Sequence, residues 1–102
     1  MKDTIVNYLL KNKIFDINSF SSTAIDVDAI IIGIALSHKH VDTVSFKLIK
    51  YLKGRYKINY VLCGWHTGWI IVDLKTIIVH LMINELKVKY ELDKLYLIKC
   101  DD

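Results

Sequence analysis

The spacing of hydrophobic positions changes several times along the chain, and each change predicts a new element. Residues 25–36 form a mostly apolar run ending in A-I-I-I-G-I-A-L. Such a run, rich in β-branched residues, indicates a strand that is buried on both faces. From Val41 to Leu52 the apolar residues recur at helical spacing, with Ser37 as the predicted N-cap and Gly54 as the predicted stop. We expect this helix to pack on the sheet.

Shorter elements fill the rest of the pattern. A first helix is predicted near residues 3–10 and a strand at 13–18, followed by a loop at 18–23, because N-S-F-S-S-T is rich in turn-forming residues. Three more strands are predicted at 57–63, 69–74 and 76–82. Residues 86–93 alternate like a strand but also fit one helical face, and we favour a helix because Asn84 offers a cap.

The predicted order is α-β-β-α-β-β-β-α, which indicates an α/β (α+β) fold with a mixed sheet of about five strands. The two strands that flank the long helix should run parallel. With few helices, one sheet face should be under-covered, and such a face often serves as a binding or dimer interface. A chain of 102 residues, 53% of them apolar, predicts a single domain over residues 1–102.

The formal net charge is +3, and the densest basic stretch runs from Lys47 to Lys57. The first interpretation is a solvated helix end, where cations are favourable. The alternative is peripheral contact with RNA or an acidic partner. We favour the helix end, because no aromatic residues interleave with the lysines as stacking platforms.

The cysteine pattern and the apolar runs bear on compartment. Cys63 and Cys100 form no C-x-x-C pair, which argues against a zinc site and favours a reducing compartment. No secretory signal is recognised, and the run at residues 29–36 is too short to span a bilayer. We therefore expect a soluble, cytoplasmic protein without membrane contact.

One motif suggests enzymatic chemistry. Asp26 and Asp28 form a D-x-D beside a strand, and their carboxylates could converge with Asp73 on a magnesium ion. The alternative function is therefore a magnesium-dependent nucleotidyltransferase. No glycine pair for phosphate approach lies upstream, and we favour the interpretation in which Asp26 and Asp28 lie at the solvated start of a strand.

The histidines and tryptophans lack a catalytic or metal-binding spacing. His80 lies inside a predicted strand, and we expect a backbone or carboxylate partner for it, such as Asp73 across the hairpin. Trp69 opens a strand and shares a face with Ile71 and Asp73. Core packing and a binding hot spot are equally compatible with Trp69. We expect no catalytic residue, metal or cofactor.

The last third of the chain resembles the ribosomal silencing factor family, also called Iojap or RsfS. The matching segments are W-I-I-V-D-L, I-I-V-H-L-M and Y-E-L-D-K-L-Y, beginning at residues 69, 77 and 90. Upstream, Asp28, Ser37 and His40 match further family positions. The chain departs from the family at Cys63 and at Lys75-Thr76, and in the loop at 18–25.

The resemblance implies a nucleotidyltransferase-like fold without enzymatic activity. It implies a translation regulator that binds the large-subunit ribosomal protein numbered fourteen and sterically blocks joining of the small subunit. It also implies a role in ribosome biogenesis for some members and a homodimer when free. With this resemblance, the RNA that the basic stretch would contact peripherally is ribosomal RNA. The partner-binding residues predicted on this basis are Trp69, Asp73, His80, Tyr90, Leu92 and Asp93.

Overall fold

The structure is a computed structural model that describes residues 1–22 and 27–90. Its helices are α1 (Lys2–Lys11), α2 (His38–Lys53) and α3 (Asn84–Tyr90). Its strands are β1 (Phe15–Ser22), β2 (Val27–Ala35), β3 (Val61–Cys63), β4 (Trp69–Asp73) and β5 (Ile77–Ile83). The predicted mixed α+β fold with a five-stranded sheet is confirmed.

The sheet has the spatial order β1-β2-β5-β4-β3. β2 and β5 are parallel, and the other three neighbouring pairs are antiparallel. The parallel neighbour of β2 is therefore β5 and not β3, the strand that directly follows α2. The chain passes from α2 to the far edge of the sheet and returns through the antiparallel strands β3 and β4 before β5 pairs with β2.

The two faces of the sheet are covered differently. One face, which we call the helix-bearing face, packs against side chains of α1 and α2 and against Leu86 of α3. The opposite face, which we call the Trp69 face, has a smaller cluster of fully buried side chains: Ile30, Ile32, Ile34 and Met82. Within residues 1–22 and 27–90, no helix side chain belongs to that smaller cluster.

The predicted loop at residues 18–23 is wrong over its described part. Residues 18–22 continue β1, which pairs antiparallel with the buried strand β2 through register shifts on either side of Asn18–Phe20. β1 is an edge strand, and polar residues such as Ser19 are tolerated there because one side faces solvent. Pairing with a strongly apolar neighbour has overridden the local turn preference.

The start of α2 shows why two family-matching positions are structural. Ser37 caps the helix by accepting a hydrogen bond from the backbone N–H of His40 at 3.1 Å, as predicted. The Leu36 N–H donates to Nδ1 of His40 at 2.9 Å, and His40 Nε2 lies 2.7 Å from the carbonyl oxygen of Asn12. This ring therefore carries its proton on Nε2 and joins the ends of β2 and α1 to α2.

The long helix α2 provides most of the cover for the helix-bearing face. Its inward side chains Val41, Val44, Leu48 and Leu52 are buried at the spacing that the sequence predicts. No helix in the described part of the chain is long and apolar enough to cross a membrane.

Candidate functional site

The register of the β4–β5 hairpin brings the predicted site residues of these strands to one face. Trp69 lies opposite Met82, Ile71 opposite His80, and Asp73 opposite Ile78. Because side chains alternate along a strand and directly opposed residues share a face, all of them lie on the Trp69 face.

The outer part of this face exposes apolar surface. Ile71 and Ile78 are partly exposed, as is Trp69, and Val61 on the neighbouring edge strand is 61% exposed. The centre of the face is different, because Ile32 and Met82 are fully buried there. Partly exposed apolar side chains on a rigid sheet form the kind of surface that protein partners use.

Trp69 is held in place by His80. The indole Nε1–H donates a hydrogen bond to Nδ1 of His80 at 3.1 Å, and the two rings lie 6.0 Å apart at a tilt of 43°. Because Nδ1 accepts, the neutral imidazole carries its proton on Nε2. The hydrogen bond restricts the rotamers of Trp69, so less conformational entropy remains to be lost when a partner binds.

Burial decides the charge of His80. The side chain is 2% exposed, and desolvation lowers its pKa from 6.5 to about 4. A charged imidazole would lose its hydration, and its protonated Nδ1 could no longer accept from the indole, whereas the neutral ring keeps the indole as a donor. His80 therefore stays uncharged across the physiological pH range and keeps its capacity to accept from Trp69.

Asp73 has a local partner instead of the expected contact with His80. Its Oδ1 accepts a hydrogen bond from the backbone N–H of Lys75 at 2.8 Å. Lys75 has a φ of 78°, a left-handed conformation that the aspartate stabilises in the β4–β5 turn. The expected pairing of Asp73 with His80 is therefore wrong, and the carboxylate has a structural reason to be present.

The C-terminal part of the predicted site is described only in part. Tyr90 is the last residue of α3, which confirms a helix at the start of the ambiguous segment 86–93. Leu92 and Asp93 lie outside the described residues. Their contribution to the site stays a prediction.

The alternative magnesium site is likewise described only in part. Asp28 is exposed near the start of β2, and Asp73 is the last residue of β4. Asp26 lies outside the described residues. Among residues 1–22 and 27–90, no three His, Cys, Asp or Glu side chains are grouped closely enough to hold a metal ion.

A second surface was missed by the sequence analysis. A groove of about 500 Å³ runs between α2 and the β3 edge on the helix-bearing side. We call it the aromatic groove, and its lining residues are Phe46, Ile49, Lys50, Lys53, Tyr60, Leu62 and Trp65. The expectation that no aromatic residues interleave with these lysines as stacking platforms is therefore wrong.

The missed signal was only partly visible in the sequence. Phe46, Lys50 and Lys53 are spaced by four and three residues, which places them on one stripe of a helix. In the structure, Lys50 Nζ lies 6.0 Å from the ring centre of Phe46, and Lys53 Nζ lies 5.0 Å from that of Tyr60. The contribution of Tyr60 could not be read from helical spacing, because it comes from the segment before β3.

The loop that carries Trp65 is tied to α2. Oδ2 of Asp42 lies 2.9 Å from Nδ1 of His66, and Oδ1 accepts from the backbone N–H of His66 at 3.2 Å. Thr67 adds a second constraint, since its hydroxyl donates to the carbonyl oxygen of Gly64 at 2.6 Å. Trp65 therefore belongs to a constrained loop, although its own side chain is 41% exposed.

Comparison with known proteins gives a family and a fold. The sequence model of the family described as "Ribosomal silencing factor during starvation" matches residues 3–102. A crystal structure from Bacillus halodurans has a TM-score of 0.80 at 24% identity, covering 92% of this chain and 90% of that one. A crystal structure from Chromobacterium violaceum has a TM-score of 0.83 at 20% identity, covering 93% and 82%. No curated protein sequence matches the chain.

Proposed function

Because the chain belongs to the family of ribosomal silencing factors, which slow translation, we propose that it acts by binding the large ribosomal subunit through its Trp69 face. The partner we propose is the large-subunit ribosomal protein numbered fourteen. The bound protein occupies the space that the small subunit needs, so joining is blocked without any chemical step. This mechanism places the protein in the cytoplasm.

The observation that carries the proposal is the fixed, partly exposed indole on an apolar sheet face. Tryptophan is among the residue types most enriched at binding hot spots. Here the hydrogen bond to buried, neutral His80 orients the indole before a partner arrives. Ile71 and Ile78 extend the apolar surface on the same face. A standard interface of about 800 Å² per partner is within reach of a domain of this size.

The predicted site residues take different roles in this proposal. Trp69, Tyr90 and Leu92 are the apolar anchors. His80 acts through Trp69 by orienting the indole, and Asp73 shapes the turn beside the anchor. Asp93 is the remaining polar orienter.

Self-association belongs to the same proposal. A free homodimer that buries Trp69, Ile71 and Ile78 would use the same apolar face in both copies, as a two-fold interface requires. Dimerisation and ribosome binding would then compete. Sedimentation of the free protein should show a dimer that the partner protein converts to a mixed complex, and a dimer that persists in that complex would contradict the shared face.

The direct test compares the two tryptophans. Trp69→Ala should weaken binding to the purified large-subunit protein by about 2 kcal/mol or more, which is roughly 30-fold. Trp65→Ala is the matched control, because Trp65 is not among the Trp69-face residues and belongs to the aromatic groove. Titration calorimetry gives the affinities, and circular dichroism checks that both variants are folded.

A sucrose gradient tests the functional consequence. Tagged wild-type protein should sediment with free large subunits and be missing from translating ribosomes, whereas Trp69→Ala should remain near the top. The proposal fails if the folded Trp69→Ala variant sediments with large subunits as the wild type does.

A further inference from the structure

The aromatic groove combines two features in one place. Phe46 is 58% exposed, Trp65 41% and Tyr60 37%, so three aromatic side chains present ring surface to solvent. Lys50 and Lys53 stand beside them. A basic groove with exposed aromatic rings is the usual surface for unpaired nucleic acid, since bases stack on the rings and lysines neutralise the phosphates.

Both charged side chains that line the groove are lysines, and the segment that follows Asp42, whose carboxylate contacts His66, is strongly basic. Residues 43–72 contain five lysines and arginines and no aspartate or glutamate, although the chain as a whole has 14 basic and 11 acidic residues. The five basic residues are Lys47, Lys50, Lys53, Arg55 and Lys57. Such a segment creates a positive field that attracts a polyanion and disfavours a second copy of the same surface.

The groove is also built to keep its shape. Phe46, Ile49, Lys50 and Lys53 project from the long helix α2, whose opposite side is buried in the core. The loop of Trp65 is held by the contacts between Asp42 and His66. Aromatic rings on constrained elements lose little entropy when a ligand stacks on them.

We propose that the aromatic groove binds unpaired RNA, with Phe46, Tyr60 and Trp65 as stacking surfaces and Lys50 and Lys53 as phosphate contacts. The groove lies on the side of the sheet opposite the Trp69 face, so one protein molecule can hold RNA and a protein partner together. That this RNA belongs to the ribosome rests on the proposed function. The chemistry of the groove does not depend on it.

The test uses a short, fluorescently labelled oligouridylate and the full chain. Fluorescence anisotropy should show binding that weakens as salt is raised, because phosphate contacts release counterions. Phe46→Ala and Trp65→Ala should each weaken binding about tenfold or more, the usual effect of removing a stacking ring. Both side chains are exposed, so both variants should unfold at the wild-type temperature.

A matched pair of charge reversals separates the groove from general electrostatics. Lys50→Glu with Lys53→Glu should weaken binding by about tenfold or more. Lys2→Glu with Lys75→Glu changes the net charge equally, but neither residue lines the groove, so this control should bind almost as the wild type. Equal losses in the two double variants would overturn the proposal in favour of unspecific attraction.

Two further readouts distinguish other occupants. In a Trp69→Phe background, Trp65 is the sole tryptophan, and its emission should be quenched when oligouridylate stacks on it. A polyglutamate peptide should compete poorly, because it offers charge without bases. Equal competition by that peptide would overturn the proposal, as would a dimer that Phe46→Ala dissociates while RNA does not bind.

The experiment also separates this inference from the proposed function. Trp69→Ala should keep its affinity for oligouridylate, whereas Phe46→Ala should keep its affinity for the large-subunit protein. If the wild type binds the large-subunit protein but not oligouridylate, RNA binding by the aromatic groove is refuted and the proposal for the Trp69 face is unaffected. If the wild type binds oligouridylate but not the large-subunit protein, the proposal for the Trp69 face is refuted and the aromatic groove is unaffected.

Discussion

The two tryptophans lie four residues apart and are positioned by opposite physical means. Trp69 lies in a strand and donates to a buried, uncharged histidine. Trp65 lies in a loop that is tied by an aspartate and a histidine whose side chain is 86% exposed. A hydrogen bond between two neutral groups is insensitive to salt, whereas a contact that a carboxylate makes at the surface is screened. The two surfaces should therefore respond differently to ionic strength.

The largest expected effect comes from Gly64, where the two regions meet. Its φ is +102°, and a Cβ there would overlap the carbonyl oxygen of Trp69. Gly64→Ala should cost about 3 kcal/mol of unfolding free energy, because a strained backbone and a clash with main-chain atoms act together. Urea denaturation measures the loss.

Gly54→Ala is the matched control for that prediction. Gly54 has a φ of −74°, and its Cβ would lie 3.5 Å from the carbonyl oxygen of Tyr51, which is an ordinary contact. We expect a change within about 0.5 kcal/mol. Similar losses in the two variants would mean that the close approach at Gly64 is unimportant.

The next largest effect is the pH dependence of the unfolding free energy that His80 causes. Burial lowers its pKa to about 4, while the unfolded chain binds a proton near pH 6.5, so the unfolded state carries more protons between these values. The stability that neutral His80 contributes should therefore be fully present above pH 6.5 and be lost as the pH drops towards 4. At most about 3 kcal/mol would be lost, since one pKa unit corresponds to about 1.4 kcal/mol.

The measurement compares the wild type with His80→Gln. Urea midpoints at pH 7.5, 5.5 and 4.5 should converge as the pH falls, because the variant lacks this titration but keeps every carboxylate. If the urea midpoints of the two proteins fall in parallel with pH, His80 is not the group that destabilises the fold in acid.

A smaller effect is expected when the indole donor alone is removed. Trp69→Phe keeps the apolar ring but deletes the Nε1–H that His80 accepts. The unfolding free energy should fall by about 1 kcal/mol, the usual net value of a hydrogen bond. Oligouridylate affinity should not change. A parallel loss of RNA binding would show that the two surfaces are coupled.

The smallest effect on stability is expected at Asp42. Asp42→Asn weakens the contact with His66 and should change the unfolding free energy by less than about 1 kcal/mol, because the His66 side chain is mostly exposed to solvent. RNA affinity should nevertheless fall severalfold, because Trp65 loses its support. Asp3→Asn makes the same charge change in α1 and should leave the affinity unchanged. If Asp42→Asn binds RNA more tightly, charge outweighs the positioning of Trp65.

Local pattern predicted those parts of the fold in which the sequence and the packing agree. β2 was visible because its β-branched run is buried on both faces, and α2 because its apolar stripe, cap and stop coincide. The strand predicted at 13–18 ends too early, because the polar residues that complete β1 form a strand only by pairing with β2. That pairing is a long-range contact that no local window contains.

The candidate sites show the same division. Alternation placed Trp69, Ile71 and Asp73 on one face, but the register that sets the indole beside His80 is a property of the hairpin. Asp73 was assigned to the wrong neighbour, because a turn hydrogen bond to Lys75 competes with cross-strand contact. In the groove, helical spacing links Phe46 to Lys50 and Lys53. Tyr60 and Trp65 come next to them only in the tertiary structure.

The sheet order has a consequence for synthesis of the chain. The central strand, β5, is also the last strand in the part of the chain that the structure describes, and it joins the β1–β2 pair to the β3–β4 pair. A growing polypeptide therefore holds two separate ribbons until residues 77–83 have left the exit tunnel, and neither ribbon alone is independently stable. Because domains fold as units during translation, the Trp69 face would be assembled only after β5 has emerged.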